Sequence, residues 1–147
     1  MIHFVILAAG QGKRALSSKN KLPKQFYQVN GITPLEHILD SVNKNPLIDT
    51  ITVVLSIKYY KKYGYLLNKY KKINKIIKGG SNRQESSLKA LNNIVKTNKN
   101  YMKDIVLLHD ASRPFLEDQI INQCIKNCKK YDGVFPSINI DDTLRNK

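Results

Sequence analysis

The chain reads as a parallel α/β domain, and three observations predict it. Apolar runs of strand length alternate with segments of helical period over all 147 residues. The polar, glycine-containing motifs fall directly after those runs, where an open parallel sheet gathers its ligands. The length suits one domain with a sizeable core, and neither an internal repeat nor a low-complexity linker marks a second.

Taken in order, strands are expected at Ile2 to Ala9, Thr50 to Ser56, Ile73 to Lys78, Asp104 to His109 and Gly133 to Ile138. The first helix opens at Thr33-Pro34-Leu35-Glu36, where Thr33 caps, Pro34 suits the first helical position and Glu36 closes a capping box. Leu35, Ile38, Leu39 and Val42 form its buried stripe. A second helix is expected after Gly80 with Leu88, Leu91, Ile94 and Val95 inward, and a third over about Glu117 to Lys130. The pattern from Leu66 to Lys78 fits helix and strand equally well.

The formal net charge of +14 would ordinarily point to a polyanionic partner. Lys is nevertheless spread along the chain with Asn, Ile and Tyr, as biased base composition would produce. The densest run, Lys58 to Lys78, interleaves Tyr59, Tyr60, Tyr63, Tyr65 and Tyr70. A basic nucleic-acid-binding domain would use such a run to follow a backbone and stack bases. The competing and favoured reading is a solvated face whose tyrosines cover the core. Cys124 and Cys128 lie four apart on the helical side of Ile120, Ile121 and Ile125, and read as small buried apolar residues rather than a disulfide or a zinc site. Met1 to Ala9 lacks a basic leading region, and no apolar run reaches membrane-spanning length, so a cytoplasmic protein without membrane contact is expected.

The first strand ends in Leu7-Ala8-Ala9-Gly10-Gln11-Gly12-Lys13-Arg14, followed by Pro23-Lys24-Gln25. Gly10 and Gly12 let backbone N–H groups approach an anion, and Lys13, Arg14 and Lys24 supply positive charge, so the loop is suited to a phosphate chain. A P-loop is excluded, because these glycines are one residue apart and Arg14 follows Lys13. Gly10-x-Gly12-x-x-Ala15 satisfies a relaxed dinucleotide fingerprint. The polar stretch Ser17 to Gln25, with Pro23, argues against the helix that fingerprint requires, and Leu55-Ser56 offers no acidic residue for a ribose. Gly79-Gly80-Ser81-Asn82-Arg83, His109-Asp110-Ala111-Ser112-Arg113-Pro114 and Asp141-Asp142-Thr143 follow three further strands. Four polar clusters in equivalent places argue for one shared crevice.

Together these blocks, with Ser86 closing Gly-Gly-x-x-Arg-x-x-Ser, resemble the 2-C-methyl-D-erythritol 4-phosphate cytidylyltransferase family in order and over almost the whole chain. The resemblance implies a Rossmann-like nucleotidyltransferase sheet, mostly parallel with helices on both faces, and transfer of a cytidylyl group from CTP to a polyol phosphate with release of pyrophosphate, in isoprenoid precursor synthesis. It implies that Arg14 and Lys24 are catalytic, stabilising charge at the α-phosphate. Ala8, Ala9, Gly10, Gly12, Gly80, Ser81 and Ser86 would hold the nucleotide in a pocket sized for a pyrimidine. Asp110, Arg113 and Thr143 would face the second substrate, Thr143 across a homodimer interface. Mg2+ would be held mainly by the triphosphate, with Asp110 as the protein's candidate ligand.

Some positions carry a structural alternative. Arg83 is read as pairing with Glu85 or capping a helix as readily as touching ligand. His109 is read as a satisfied histidine at a strand end rather than a general base, and His3 and His37 as structural. Asp110 could cap the turn before Pro114, although its place at a strand's carboxyl end favours function. Family members continue past the Asp-Thr motif through a dimerising arm and a final section that grips the acceptor. A single domain over 1–147, incomplete at its C-terminus, is therefore expected, and some relatives fuse a cyclodiphosphate synthase downstream. Ribitol-5-phosphate cytidylyltransferase shares the first loop and the Pro-Lys-Gln-Phe motif, and is the alternative within the fold; Ala8-Ala9-Gly10 and Ala111 favour the methylerythritol enzyme.

Overall fold

The computed structural model describes residues 1–12 and 22–138. Lys13, Arg14, Asp141, Asp142 and Thr143, all singled out by the sequence, lie outside the described residues. Four parallel strands, β1 (Ile2–Ala8), β2 (Thr50–Leu55), β3 (Ile73–Lys78) and β4 (Ile105–Asp110), form one sheet in the order β3-β2-β1-β4. β1 is central, pairing Ala8 with Leu55 on one side and Leu7 with Asp110 on the other. The chain thus steps outward to β3 and then returns to the opposite flank of β1. That reversal is the topological switch point at which a crevice opens beyond the strands' carboxyl ends.

Buried parallel strands are apolar on both faces, and alternate residues of β1 serve separate layers. Phe4, Ile6 and Ala8 pack with Ile51, Val53 and Leu55 against α1 (Pro34–Lys44) and α5 (Asp118–Cys128). Val5 and Val54 pack against α4 (Arg83–Thr97) through Ala90 and Ile94. The helices consequently cover both faces of the sheet. The expected capping box is present: Glu36 N–H donates to Thr33 Oγ1 at 3.2 Å, while Thr33 N–H donates to Glu36 Oε2 at 3.3 Å. Leu35, Ile38, Leu39 and Val42 are fully buried, as the helical period required. Among the described residues no helix is long and apolar enough to cross a membrane.

The basic, tyrosine-rich run carries two short helices, α2 (Ile57–Tyr60) and α3 (Leu66–Lys69), followed by β3, so the ambiguous part from Leu66 to Lys78 divides into a helix and a strand. Its tyrosines mostly serve the core. Tyr59, Tyr63 and Tyr70 are buried, and Tyr70 O–H donates to Asp40 Oδ1 at 2.8 Å. Burial, together with that bond, pushes the Tyr70 hydroxyl well above the usual phenol range. Those three rings are not available to stack on bases, whereas Tyr65 is exposed and Tyr60 half-buried.

Three expectations need correction. α4 turns Ser86, Ala90 and Ile94 inward, a strict fourfold repeat, and leaves Leu88 56% and Val95 42% exposed. The cause is at its first turn, where Ser86 must reach the Gly79-Gly80 loop and thereby fixes the helix's rotation. The expected strand at Gly133 to Ile138 is absent: those residues form no ladder, and Phe135 and Ile138 face water. A strand exists only by pairing, and this segment finds no neighbour alongside β4 among the described residues. Cys124 and Cys128 are free thiols, half-buried rather than buried, because Ile121 and Ile125 occupy the inward line of α5.

His3 is structural, as expected. At the amino end of β1, its Nδ1 lies 2.7 Å from Thr50 Oγ1 and its Nε2 3.0 Å from Asp104 Oδ2. The N-terminal ammonium, 2.6 Å from Asp104 Oδ1, together with His3 and Asn98 holds that carboxyl below the usual carboxylate range. This network lies at the end of the sheet opposite the crevice.

Candidate active-site crevice

At the carboxyl ends of the four strands lies a cavity of about 520 Å3, within the usual range for a small-molecule site. β1 delivers Leu7, Ala9, Gly10 and Gln11, β2 delivers Ser56 and Ile57, and β4 delivers Asp110 and Ser112. The β3–α4 turn contributes Gly79, Gly80, Ser81, Asn82, Arg83 and Ser86. Three of the four polar clusters foreseen from the sequence therefore share one crevice.

The β3–α4 turn is rigid, and its side chains explain why. Asn82 caps α4 by accepting from Glu85 N–H at 2.8 Å. Ser86 Oγ accepts from Gly80 N–H at 3.0 Å and donates to the Asn82 carbonyl at 2.8 Å, so its proton is committed within the turn. Glu85 accepts from the Ser81 N–H and hydroxyl, both at 2.7 Å, and pairs with Lys89 at 2.9 Å. Lys89, followed by the Ser81 bonds, lowers the Glu85 carboxyl to about 2. Gly79 lets this turn reach the β1 loop, since a Cβ there would stand 2.4 Å from the Ala9 Cβ. The start of a fifteen-residue helix thus faces the crevice, favouring negative charge.

Arg83 does not pair with Glu85. Its Nε donates to Asp110 Oδ1 at 3.0 Å, bridging the β3–α4 turn to the end of β4, while Arg113 Nε stands 3.7 Å from Asp110 Oδ2. Lys89 and Ser81 already occupy Glu85, so Asp110 is the available carboxylate. His109 is satisfied at Nε2 by the Arg113 carbonyl at 2.9 Å and does not line the cavity. His37 likewise engages the Pro114 carbonyl at 3.1 Å.

Lys24 begins a 3-10 turn, Lys24–Phe26, and is exposed while Gln25 and Phe26 on its C-terminal side are buried. Gly12, with φ of +64°, packs against Pro23, where a Cβ would lie 3.3 Å from the Pro23 Cα. Ala8 is buried, its carbonyl accepting from Gln25, and neither Ala8 nor Gly12 lines the cavity directly. Gly10 has open space where a side chain would project. Leu7, Gln11, Gln25 and Ser112 line the crevice from within the motifs, although none has an individual role assigned from the sequence, and Ser56 and Ile57 line it from outside those motifs. Ser56 follows the end of β2, so the rule that located the four motifs would have found it.

The family model for 2-C-methyl-D-erythritol 4-phosphate cytidylyltransferase matches residues 2–147. A 2-C-methyl-D-erythritol 4-phosphate cytidylyltransferase of Clostridium beijerinckii is 37% identical over 150 residues, covering 100% of this chain and 62% of the relative. A bifunctional ribulose 5-phosphate reductase/CDP-ribitol pyrophosphorylase of Haemophilus influenzae is 34% identical over 142 residues, covering 95% of this chain and 29% of that protein. A crystal structure of 4-diphosphocytidyl-2C-methyl-D-erythritol synthase superposes with a TM-score of 0.79 at 22% identity over 99% of this chain and 63% of that one, which shows the shared fold. The chain spans about three fifths of the length of the Clostridium single-function relatives it matches.

Proposed function

The chain belongs to the 2-C-methyl-D-erythritol 4-phosphate cytidylyltransferase family, and on that premise we propose that its crevice binds CTP and serves cytidylyl transfer to 2-C-methyl-D-erythritol 4-phosphate. The observation that carries the reading is the meeting of the β1 loop, the Gly79–Ser86 turn and Asp110 around one cavity.

In the proposed reaction an acceptor phosphate oxygen attacks the α-phosphorus of CTP in line. The α–β phosphoanhydride bond breaks, and pyrophosphate leaves with its electron pair. Such transfer needs positioning and charge stabilisation more than a nucleophilic side chain. Lys24, solvent-facing beside the β1 loop, supplies a cation at the phosphates, and Arg14 is assigned the same role. Ala9, Gly10, Gly80 and Ser81 hold the cytidine moiety, and the N-terminal end of α4 favours the negative charge of the adjoining phosphates. Ser86 acts chiefly by ordering that turn, and Ala8 and Gly12 by shaping the loop. Asp110, steered by Arg83, and Arg113 face the sugar and the acceptor, with Thr143 assigned to the acceptor side.

Mg2+ would be held mainly by the triphosphate and water; Asp110 is the one carboxylate among the cavity's lining residues, and since Arg83 already occupies its Oδ1, its Oδ2 is the oxygen it would offer. Bound there, it would neutralise charge on the triphosphate. A homodimer, a cytoplasmic location and the absence of nucleic-acid binding belong to the same proposal.

Pyrophosphate release by a version of the chain extended to the full length of its relatives, with methylerythritol phosphate and with ribitol phosphate as acceptors, tests it. Faster turnover with the methylerythritol substrate is expected. Preference for ribitol phosphate would move the chain to the activity named for the Haemophilus influenzae relative, and release with neither acceptor would overturn the assignment.

A further inference from the structure

Resting on that functional reading, we propose that Gln25 is a positioning residue: its carboxamide ties the β1 loop into one shape and fixes that loop's distance from Lys24. Gln25 is 5% exposed, and its Nε2 donates to the Ala8 carbonyl at 2.9 Å and to the Gly10 carbonyl at 2.7 Å. A primary amide nitrogen has two protons, and both are spent on this loop. The two acceptors flank Ala9, the residue that abuts Gly79, so the amide crosslinks the turn that forms one wall of the cavity. A second attachment lies on the other side of Lys24, where Gly12 packs on Pro23. Lys24 is held between those two points while its own side chain stays exposed.

The amide is itself braced. Phe26, 2% exposed, sits against Tyr59 and Tyr63 with ring centroids 4.5 Å away in each case, the Tyr63 ring stacked at 25°. Phe26 N–H donates to the Pro23 carbonyl at 2.9 Å, closing the 3-10 turn that presents Gln25. The tyrosine-rich stretch therefore has a use in the reaction centre: it is the socket in which the Lys24 segment is seated. One bond of the Gln25 amide thus lands on the last residue of β1, which is buried in the core, and the other on the loop just beyond it. Charge stabilisation requires loop N–H groups and the Lys24 ammonium to meet the same phosphate group, and a displacement of about 1 Å can cost about a hundredfold in rate.

The test compares the full chain with Gln25→Met, which keeps length but has no donor, and Gln25→Glu, which puts a carboxylate against two carbonyl oxygens. Two readouts are taken: kcat and KM for CTP turnover with the polyol phosphate, and amide hydrogen exchange. Expected are exchange over residues 9–12 at least tenfold faster, unchanged protection in α4 and β3, and kcat per folded molecule at least tenfold lower in Gln25→Met. KM for the acceptor should stay within twofold, and Gln25→Glu should lose more kcat than Gln25→Met. Unchanged exchange over residues 9–12, or kcat unchanged in both variants, would overturn the proposal. Faster exchange in the variants of an enzyme whose wild type transfers no cytidylyl group would support the loop tie and overturn the reaction assigned to it.

Discussion

Gly79→Ala isolates the contact that holds two walls of the crevice together. The new Cβ would lie 2.4 Å from the Ala9 Cβ, 3.1 Å from Ser86 Oγ and 3.4 Å from Val54 Cγ1. Ordinary contact between such atoms begins near 3.4 Å, so the β1 loop and the β3–α4 turn must separate by about an ångström. Gly79 has no left-handed backbone, so alanine carries no conformational penalty there and the clash is what destabilises, opposed only by the smaller gain from a stiffer unfolded chain. Overpacking of this kind costs about 2 kcal/mol, or about 6 °C in Tm for a domain of this size. Because Ala9 and Gly79 both line the cavity, CTP should also bind more weakly. Thermal unfolding with and without CTP measures both effects, and Gly79→Ala combined with Ala9→Gly should recover at least half of the lost stability by removing the nearest clash. A Gly79→Ala protein with wild-type Tm and wild-type CTP response would refute the reasoning, since the two loops could not then be in contact.

Lys24→Ala should lower kcat about a hundredfold or more while leaving Tm nearly unchanged, because the side chain is exposed and its role is electrostatic; steady-state pyrophosphate release with parallel unfolding curves checks this. His3→Ala should cost about 2 kcal/mol by leaving Asp104 and Thr50 short of a partner, yet leave turnover per folded molecule unaltered, since the network lies at the far end of the sheet. Glu85 has its carboxyl lowered from 4.5 to about 2 in the folded chain, so its contribution is fully present above pH 4.5 and lost as pH falls through about 2. The stability gap between wild type and Glu85→Gln, read from denaturant unfolding at a series of pH values, should accordingly narrow between those limits and close below them.

Much of this architecture is legible in the sequence because it is locally encoded. The Thr33–Glu36 capping box and the stripe of Leu35, Ile38, Leu39 and Val42 depend only on spacing along α1. Four strands fall where apolar runs of the right length end in polar turns, and those turns lead into the crevice. The misread parts depend on partners outside their own element. Leu88 and Val95 look like an inward face until the Ser86–Gly80 bond sets the rotation of α4. Gly133 to Ile138 has strand composition but no neighbour to pair with among the described residues. Gln25 stood inside a recognised motif, yet its role depends on carbonyls of residues 8 and 10 and on rings at 59 and 63 that only folding brings together. Likewise Arg83 found Asp110, 27 positions away, because Glu85 was already bound to its own turn.

Nucleotide-dependent stabilisation asks whether the crevice is a cytidine triphosphate site. Unfolding temperature is measured in the presence of Mg2+ and increasing CTP, with ATP as the purine control. A site that binds CTP gains about 2.7 kcal/mol at a hundredfold excess over Kd, about 8 °C for this domain. A saturable rise of that size is expected with CTP, a much smaller one with ATP, and attenuation in Gly79→Ala. Equal shifts with both nucleotides, or none with CTP, would rule out a cytidine triphosphate site.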